Sequence, residues 1–301
     1  MTADEHLCYP LHVIDDRALP PGYDGPVFLW DIDKTYLATR FSQPKYMARI
    51  PLEFAVDKQA IPGMPEVLKG LRRGTSPVYA CAPLYFVSAS PPQLRAVITH
   101  KMLLDGVDYD GITFKDWAKT LRQLRPGRLK EQVGFKVCAL LEGRRRRLYA
   151  TEYLFGDDYE KDAIAYSLYA RMLSGDLQGK GADDALAAAG VKDYDRACAL
   201  RMRDSMPAAI GSVGKIFIHL EKGTNPSEFD SFGPRVMATR NAFQLAAALA
   251  QLGLVDVRTV RQCTLAMRGS AVFGRLDFDD LLADAVHRGL VTAEVARELV
   301  G

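Results

Sequence analysis

A chain of 301 residues, 48% hydrophobic and 25% charged, has the make-up of an ordinary globular protein with one large domain or two modest ones. Its net charge of +2 offers no global attraction to nucleic acid, and no nucleic-acid motif is present. The most apolar later run, around 242–255, is broken by Gln244 and Gln251 and falls short of the ~20 residues a membrane span needs. The five cysteines (Cys8, Cys81, Cys138, Cys198 and Cys263) are far apart and never form a CxxC pair, which predicts reduced thiols rather than a disulfide frame or a zinc site. Together with an acidic N-terminus, MTADEHLCYP, that lacks the apolar core of a signal peptide, this gives a cytoplasmic expectation.

Residues 1–24, with Pro10, Pro20 and Pro21, read as a lead-in that contributes one short edge strand over Leu11–Ile14. Val27-Phe28-Leu29-Trp30 is an unbroken apolar run, the pattern of a strand buried on both faces in a parallel sheet. It runs into Asp31 and Asp33, then Lys34 and Thr35. Carboxylates at the carboxyl edge of a parallel sheet lie where α/β folds bind ligands. Two anions so close together call for a cation beside them.

Tyr36–Pro62 holds three prolines and reads as a loop or small hairpin over this edge. Gly63-Met64-Pro65 starts a helix. Leu84–Ser90 is a second apolar strand ending in the hydroxyls Ser88 and Ser90, followed by Pro91-Pro92 and a helix to about Leu104. Hydroxyls immediately before a helix are N-caps by default, and the same helix N-terminus offers amides to a phosphate. A weak strand, Gly111–Phe114, precedes Lys115–Arg147, where eleven cations face three anions. That stretch reads either as a solvated helix face or as a landing surface for an anionic substrate or headgroup. Lys136 stands apart, because its neighbours Phe135 and Val137 are apolar and a lysine so placed needs an anionic partner.

Leu148–Asp162 is a further strand ending in Gly156-Asp157-Asp158, with Asp162 beyond, and Ala163–Leu173 is the next helix. Residues 174–210 form a small helical excursion, and Lys215–Leu220 is a last strand in which His219 reads as structural. From Pro234 to Gly301 the pattern is helical, with an amphipathic segment over Arg235–Leu254 and one or two short helices over Leu281–Val300 broken near Gly289.

A carboxylate pair, a hydroxyl, a lysine and an acidic cluster, in this order and on these elements, resemble the four-motif signature of the haloacid dehalogenase superfamily. Asp31 to Thr35 resembles the first motif, Ser88 the second, Lys136 the third, and Gly156-Asp157 through Asp162 the fourth. The resemblance implies an α/β, Rossmannoid fold with a central parallel sheet flanked by helices. Its catalytic core would span 25–233, with a C-terminal helical extension over 234–301. It also implies a Mg²⁺-dependent phosphatase. Asp31 would be the nucleophile and Asp33 the acid–base, Thr35, Ser88, Ala89 and Lys136 would meet the phosphoryl group, and Asp31, Asp33 and Asp157 would hold the metal. Asp162 would act directly or from behind, and Asp158 could share either role. The intervals after the first two motifs are short for large inserted caps, which points to an open site and a bulky phosphoester. More narrowly, the motifs are similar to those of the actin-patch-type phosphatidate phosphatases, from which Lys34 and the GDDYEKDAI stretch depart. A phosphotransferase would use the same residues, and a non-catalytic module binding anionic partners through 115–147 is the alternative from another class.

Overall fold

The computed structural model describes residues 8–15, 17–38, 59–76, 80–122, 131–208, 210–271 and 277–300. Most of the stretch expected to cover the sheet edge after Asp33 therefore lies outside the described residues. Seven strands form one sheet: β1 (Leu11–Asp15), β2 (Pro26–Asp31), β3 (Leu84–Ser88), β4 (Gly111–Lys115), β5 (Thr151–Asp157), β6 (Val213–His219) and β7 (Val236–Thr239). Their order is β1-β4-β3-β2-β5-β6-β7. Strands β2 to β7 pair in parallel, and β1 closes one edge antiparallel to β4, with Leu11 opposite Lys115. This is an α/β fold with a mostly parallel sheet, consistent with a Rossmann-like architecture. The chain winds outward from β2 through β3 to β4, then returns to the other side of β2 at β5. The winding direction reverses between β2 and β5, and doubly wound sheets open their ligand crevice at the carboxyl ends of such a strand pair.

The first helices are α1 (Met64–Arg73), α2 (Arg95–Asp105) and α3 (Trp117–Arg122), then α4 (Val133–Arg144) and α5 (Asp162–Ser174). They are followed by α6 (Gly179–Ala188), α7 (Asp193–Asp204), α8 (Ala242–Gln251), α9 (Val257–Arg268), α10 (Phe278–His287) and α11 (Ala293–Val300). Side chains alternate across β2, so its apolar run feeds two cores. Phe28 and Trp30 face a core shared with α1, α2 and α8 to α11, while Val27 and Leu29 face one shared with α4 to α7. On the first face Trp30 stacks on Phe155 (centroids 4.2 Å apart) and Phe155 on Phe217 (5.0 Å), an aromatic ladder across β2, β5 and β6.

Two expectations are corrected. Residues 234–301 are not wholly helical, because Val236–Thr239 pairs with β6 as the outermost strand. The amphipathic pattern over 235–254 hides this four-residue strand. The helix starts at Ala242, where the Asn241 side chain accepts the amide of Gln244 at 3.0 Å. The helices beyond it complete the first core, so this region is integral to the sheet's packing.

The second correction concerns the thiols. Cys8 and Cys198 form a disulfide, with Cα atoms 5.7 Å apart. Their separation of 190 residues carries no sequence signal, and only the fold brings the lead-in, with Tyr9 buried, onto the core that α7 shares. The thiol argument for a cytoplasmic location falls with it. Among the described residues no helix is long and apolar enough to cross a membrane.

Candidate functional site

Asp31, the last residue of β2, is fully buried at the carboxyl edge of the sheet. Beyond it the chain turns tightly, with the Ile32 carbonyl accepting the amides of Tyr36 (3.1 Å) and Leu37 (2.9 Å). Lys34 takes a left-handed conformation (φ 63°) in this turn and lays its Nζ over the Tyr159 ring, 3.4 Å from the centroid. The turn sends the two aspartates in different directions. Asp33 Oδ2 accepts the Ser90 hydroxyl at 2.8 Å and the Ser88 hydroxyl at 3.3 Å, beyond the end of β3. Asp31 Oδ2 accepts the Thr35 hydroxyl at 3.4 Å, and Asp31 Oδ1 lies 3.0 Å from Lys136 Nζ.

The neighbouring strand β5 ends in Gly156 and Asp157. Asp157 Oδ1 accepts the amides of Tyr159 and Glu160, which folds the loop back, while its buried Oδ2 has no hydrogen-bond partner. Asp162 opens α5 and tucks beneath the strand end. Its Oδ2 accepts the Asp157 amide at 3.1 Å and its Oδ1 accepts Lys136 Nζ. A β-carbon on Gly156 would overlap that carboxylate, so only glycine fits before Asp157. Lys136 comes from α4 and is fully buried, with Glu160 Oε2 also 3.0 Å from its Nζ. Of its three carboxylate contacts only that with Asp162 has hydrogen-bond geometry. Those with Asp31 Oδ1 and Glu160 Oε2 are contacts of charge alone.

Three carboxylates, Asp31, Glu160 and Asp162, thus share one ammonium, and a fourth, Asp157, stands beside them. Burial opposes the charge of Lys136, but Asp162, Asp31 and Glu160 outweigh it and hold the lysine well above its ordinary pKa. Burial pushes Asp31 well above the usual carboxylate range; Lys136 offsets this only in part, and Glu160, Asp162 and Asp157 add to it. Burial and the nearby Asp162 push Asp157 up to about 8, and burial raises Asp162 against the pull of Lys136. One ammonium cannot neutralise this cluster. Asp31, Asp157 and Glu160 each offer a ligand atom within 4.8 Å of the others, and each has one buried oxygen without a hydrogen-bond partner. This acidic triad could hold a metal ion, and an all-oxygen donor set suits a hard divalent cation.

No family model matches the chain, and no curated protein and no solved structure is significantly similar to it. The site rests on its own geometry.

Asp31, Thr35, Lys136, Asp157 and Asp162 converge on one point. Asp33, Ser88 and Ala89 form its β3 side, where the Ala89 carbonyl accepts the Trp117 indole N–H at 2.9 Å. Asp158 faces elsewhere and accepts the amides of Lys222 (2.8 Å) and Thr224 (3.2 Å), which pins the loop after β6. Glu160 joins the centre without having been expected. Its only sequence signal is a third acidic residue inside the Asp157–Asp162 interval. His219 is buried at the end of β6, outside the triad, with Nε2 3.5 Å from Glu221.

The basic stretch does not form one exposed face among the described residues. Lys115, Lys136, Arg144 and Arg147 are buried; Lys115 donates to the Glu131 carbonyl, and Arg144 and Arg147 pair with the buried Glu152. Arg145 and Arg146 remain exposed, each 3.6 Å from Glu142.

Proposed function

We propose that this protein is a Mg²⁺-dependent phosphatase that hydrolyses a phosphomonoester through an aspartyl-phosphate, in keeping with the haloacid dehalogenase resemblance. One observation carries the reading. A buried nucleophile candidate, Asp31, lies at the switch point of the sheet beside both a lysine and a set of carboxylate oxygens with unfilled coordination. Asp31 Oδ1 or Oδ2 attacks phosphorus, the P–O bond to the leaving group breaks, and Asp33 gives its proton to the departing alkoxide. Asp33 then takes a proton from the water that attacks the aspartyl-phosphate, which releases inorganic phosphate and restores both carboxyls. The Ser88 and Ser90 hydroxyls hold Asp33 on the β3 side, within the same edge as Asp31. Lys136 offsets part of the burial cost of charge on Asp31 and supplies positive charge for the transferring phosphoryl oxygens. Bound Mg²⁺, held by Asp31, Asp157 and Glu160, would supply the remaining charge neutralisation.

The substrate side of the reading is a bulky phosphoester, such as a lipid phosphate. It is supported by the placement of α1, α2 and β4 in the sheet layers, so that among the described residues no domain-sized insertion stands between Asp33 and Lys136. A role as a mere anion-binding surface has less support, because four of the cations in 115–147 point inward.

The test is hydrolysis of an aryl phosphate, with and without Mg²⁺, by wild type, Asp31→Asn and Asp33→Asn. The expected result is metal-dependent turnover that both substitutions abolish. Turnover that survives Asp31→Asn, or that ignores the metal, overturns the mechanism.

A further inference from the structure

Glu160 is the one member of the acidic cluster without an evident architectural task. Asp31 ends β2, Asp157 folds its own loop by accepting two amides, and Asp162 orients both Lys136 and the Asp157 amide. Glu160 sits on the turn between Asp157 and α5, and its buried Oε2 has no hydrogen-bond partner. Lys136 does not need it, since Asp31 and Asp162 already exceed the charge of one ammonium. A fourth carboxylate makes the cation-free cluster more anionic, from a formal −2 to −3 when every group is ionised. It is therefore a cost unless a cation takes it up.

Glu160 also stands against the lysine. Asp162, Asp31 and Glu160 together take up the contacts around Lys136 Nζ, so a phosphoryl oxygen approaching that ammonium meets a resident carboxylate first. Asp162 is fixed by its second bond to the Asp157 amide, and Asp31 is the proposed nucleophile. Glu160 is the partner with no other tie, and its side chain is 17% exposed where the other two are fully buried.

We propose that Glu160 is a carboxylate ligand of the divalent-cation site, and that it exchanges Lys136 for the cation, so phosphoryl binding follows cation binding. The inference rests on the phosphatase reading and adds an order to it. In the cation-free protein Glu160 holds Lys136 and repels phosphate. In the loaded protein its charge is committed to the cation and the lysine is left to the phosphoryl group.

The experiment is calorimetric titration of the full chain, wild type, Glu160→Gln, Glu160→Ala and Asp157→Asn, with Mg²⁺ alone and with inorganic phosphate in the presence and absence of Mg²⁺. Wild type is expected to bind phosphate only when Mg²⁺ is present. Both Glu160 variants should bind Mg²⁺ at least about tenfold more weakly, since even groups behind the ligands cost about 10–100-fold. They should also gain phosphate binding without metal, a gain that loss of a ligand alone would not produce. Asp157→Asn, which keeps the Glu160–Lys136 contact, should bind neither. If both Glu160 variants bind Mg²⁺ as wild type does, or gain no metal-free phosphate binding, the inference falls while the phosphatase reading stands. If wild type binds neither Mg²⁺ nor phosphate, both fall together.

Discussion

Asp162 accepts the backbone amide of Asp157 through one carboxylate oxygen (3.1 Å) and Lys136 through the other, so a single side chain sets the strand end and the lysine relative to each other. Groups that orient ligands in this way matter nearly as much as the ligands. Asp162→Asn keeps the size of the side chain but removes the charge facing Lys136. Mg²⁺ affinity, read by calorimetry, is expected to fall about 10–100-fold with an unchanged circular dichroism spectrum. Unchanged affinity would show that this arrangement does not govern the site.

Removing Asp157 should act oppositely on function and on stability. Its unpartnered Oδ2 is buried beside Asp31 and Glu160, and burial with the nearby Asp162 raises its pKa to about 8, so the metal-free protein bears the cost of protonating or charging this carboxyl. Asp157→Asn relieves it. The melting temperature without metal is expected to rise, by about 2–4 °C for each kcal/mol relieved, and the further rise expected of wild type on adding Mg²⁺ should be absent. A variant that melts lower than wild type in metal-free buffer would contradict this account of the cluster.

Away from the site, α1 and α9 meet where Gly70 faces Thr259. A β-carbon at position 70 would overlap the Thr259 side chain. Gly70→Ala improves helix propensity by up to about 1 kcal/mol, but the overpacking costs about 1–3 kcal/mol, and the net change should be destabilising. Urea unfolding of Gly70→Ala with and without Thr259→Ala, which removes both of the closest atoms, checks the contact. If the second substitution recovers none of the loss, the clash is not its source.

Asp256 caps α9. Burial raises its pKa, but the Thr259 hydroxyl (2.7 Å) and amide (2.9 Å) and the Arg73 guanidinium (2.8 Å) outweigh that and hold it below the usual carboxylate range. A carboxylate depressed in the folded state stabilises above its unfolded pKa, and that contribution is lost as pH falls through the folded value. Asp256→Asn keeps the capping oxygen and removes the charge. At neutral pH it should cost about 0.2–1 kcal/mol, the range for a solvent-accessible pair. The difference from wild type should vanish once acid protonates Asp256, and a difference constant with pH would assign the effect to packing.

Much of this arrangement is written locally. The uninterrupted Val27–Trp30 run does form a strand buried on both faces, and the apolar setting of Lys136 does signal a buried partner, found as Asp31, Asp162 and Glu160. What escapes is decided by topology. Glu160 has no periodicity to place it, because the Asp157 carboxylate folds the turn that aims it. The inward course of Arg144 and Arg147 depends on Glu152, which looks like an ordinary surface acid along the chain, and that of Lys115 on the backbone carbonyl of Glu131. The strand Val236–Thr239 is short enough to pass as the first turn of the helix after it. The Asn241 cap was the signal that separates them.

The Cys8–Cys198 bridge gives the oxidised chain an unusual response to tension. A pull applied at the two ends would pass from Cys8 directly to Cys198, leaving everything between them out of the load path. Asp31, Ser88, Lys136, Asp157 and Glu160 all lie inside that shielded loop, while β6, β7 and the last four helices carry the force. Reduction would bring the 190-residue span into the load path and expose the whole site to mechanical unfolding, which would add on the order of 650 Å of contour length.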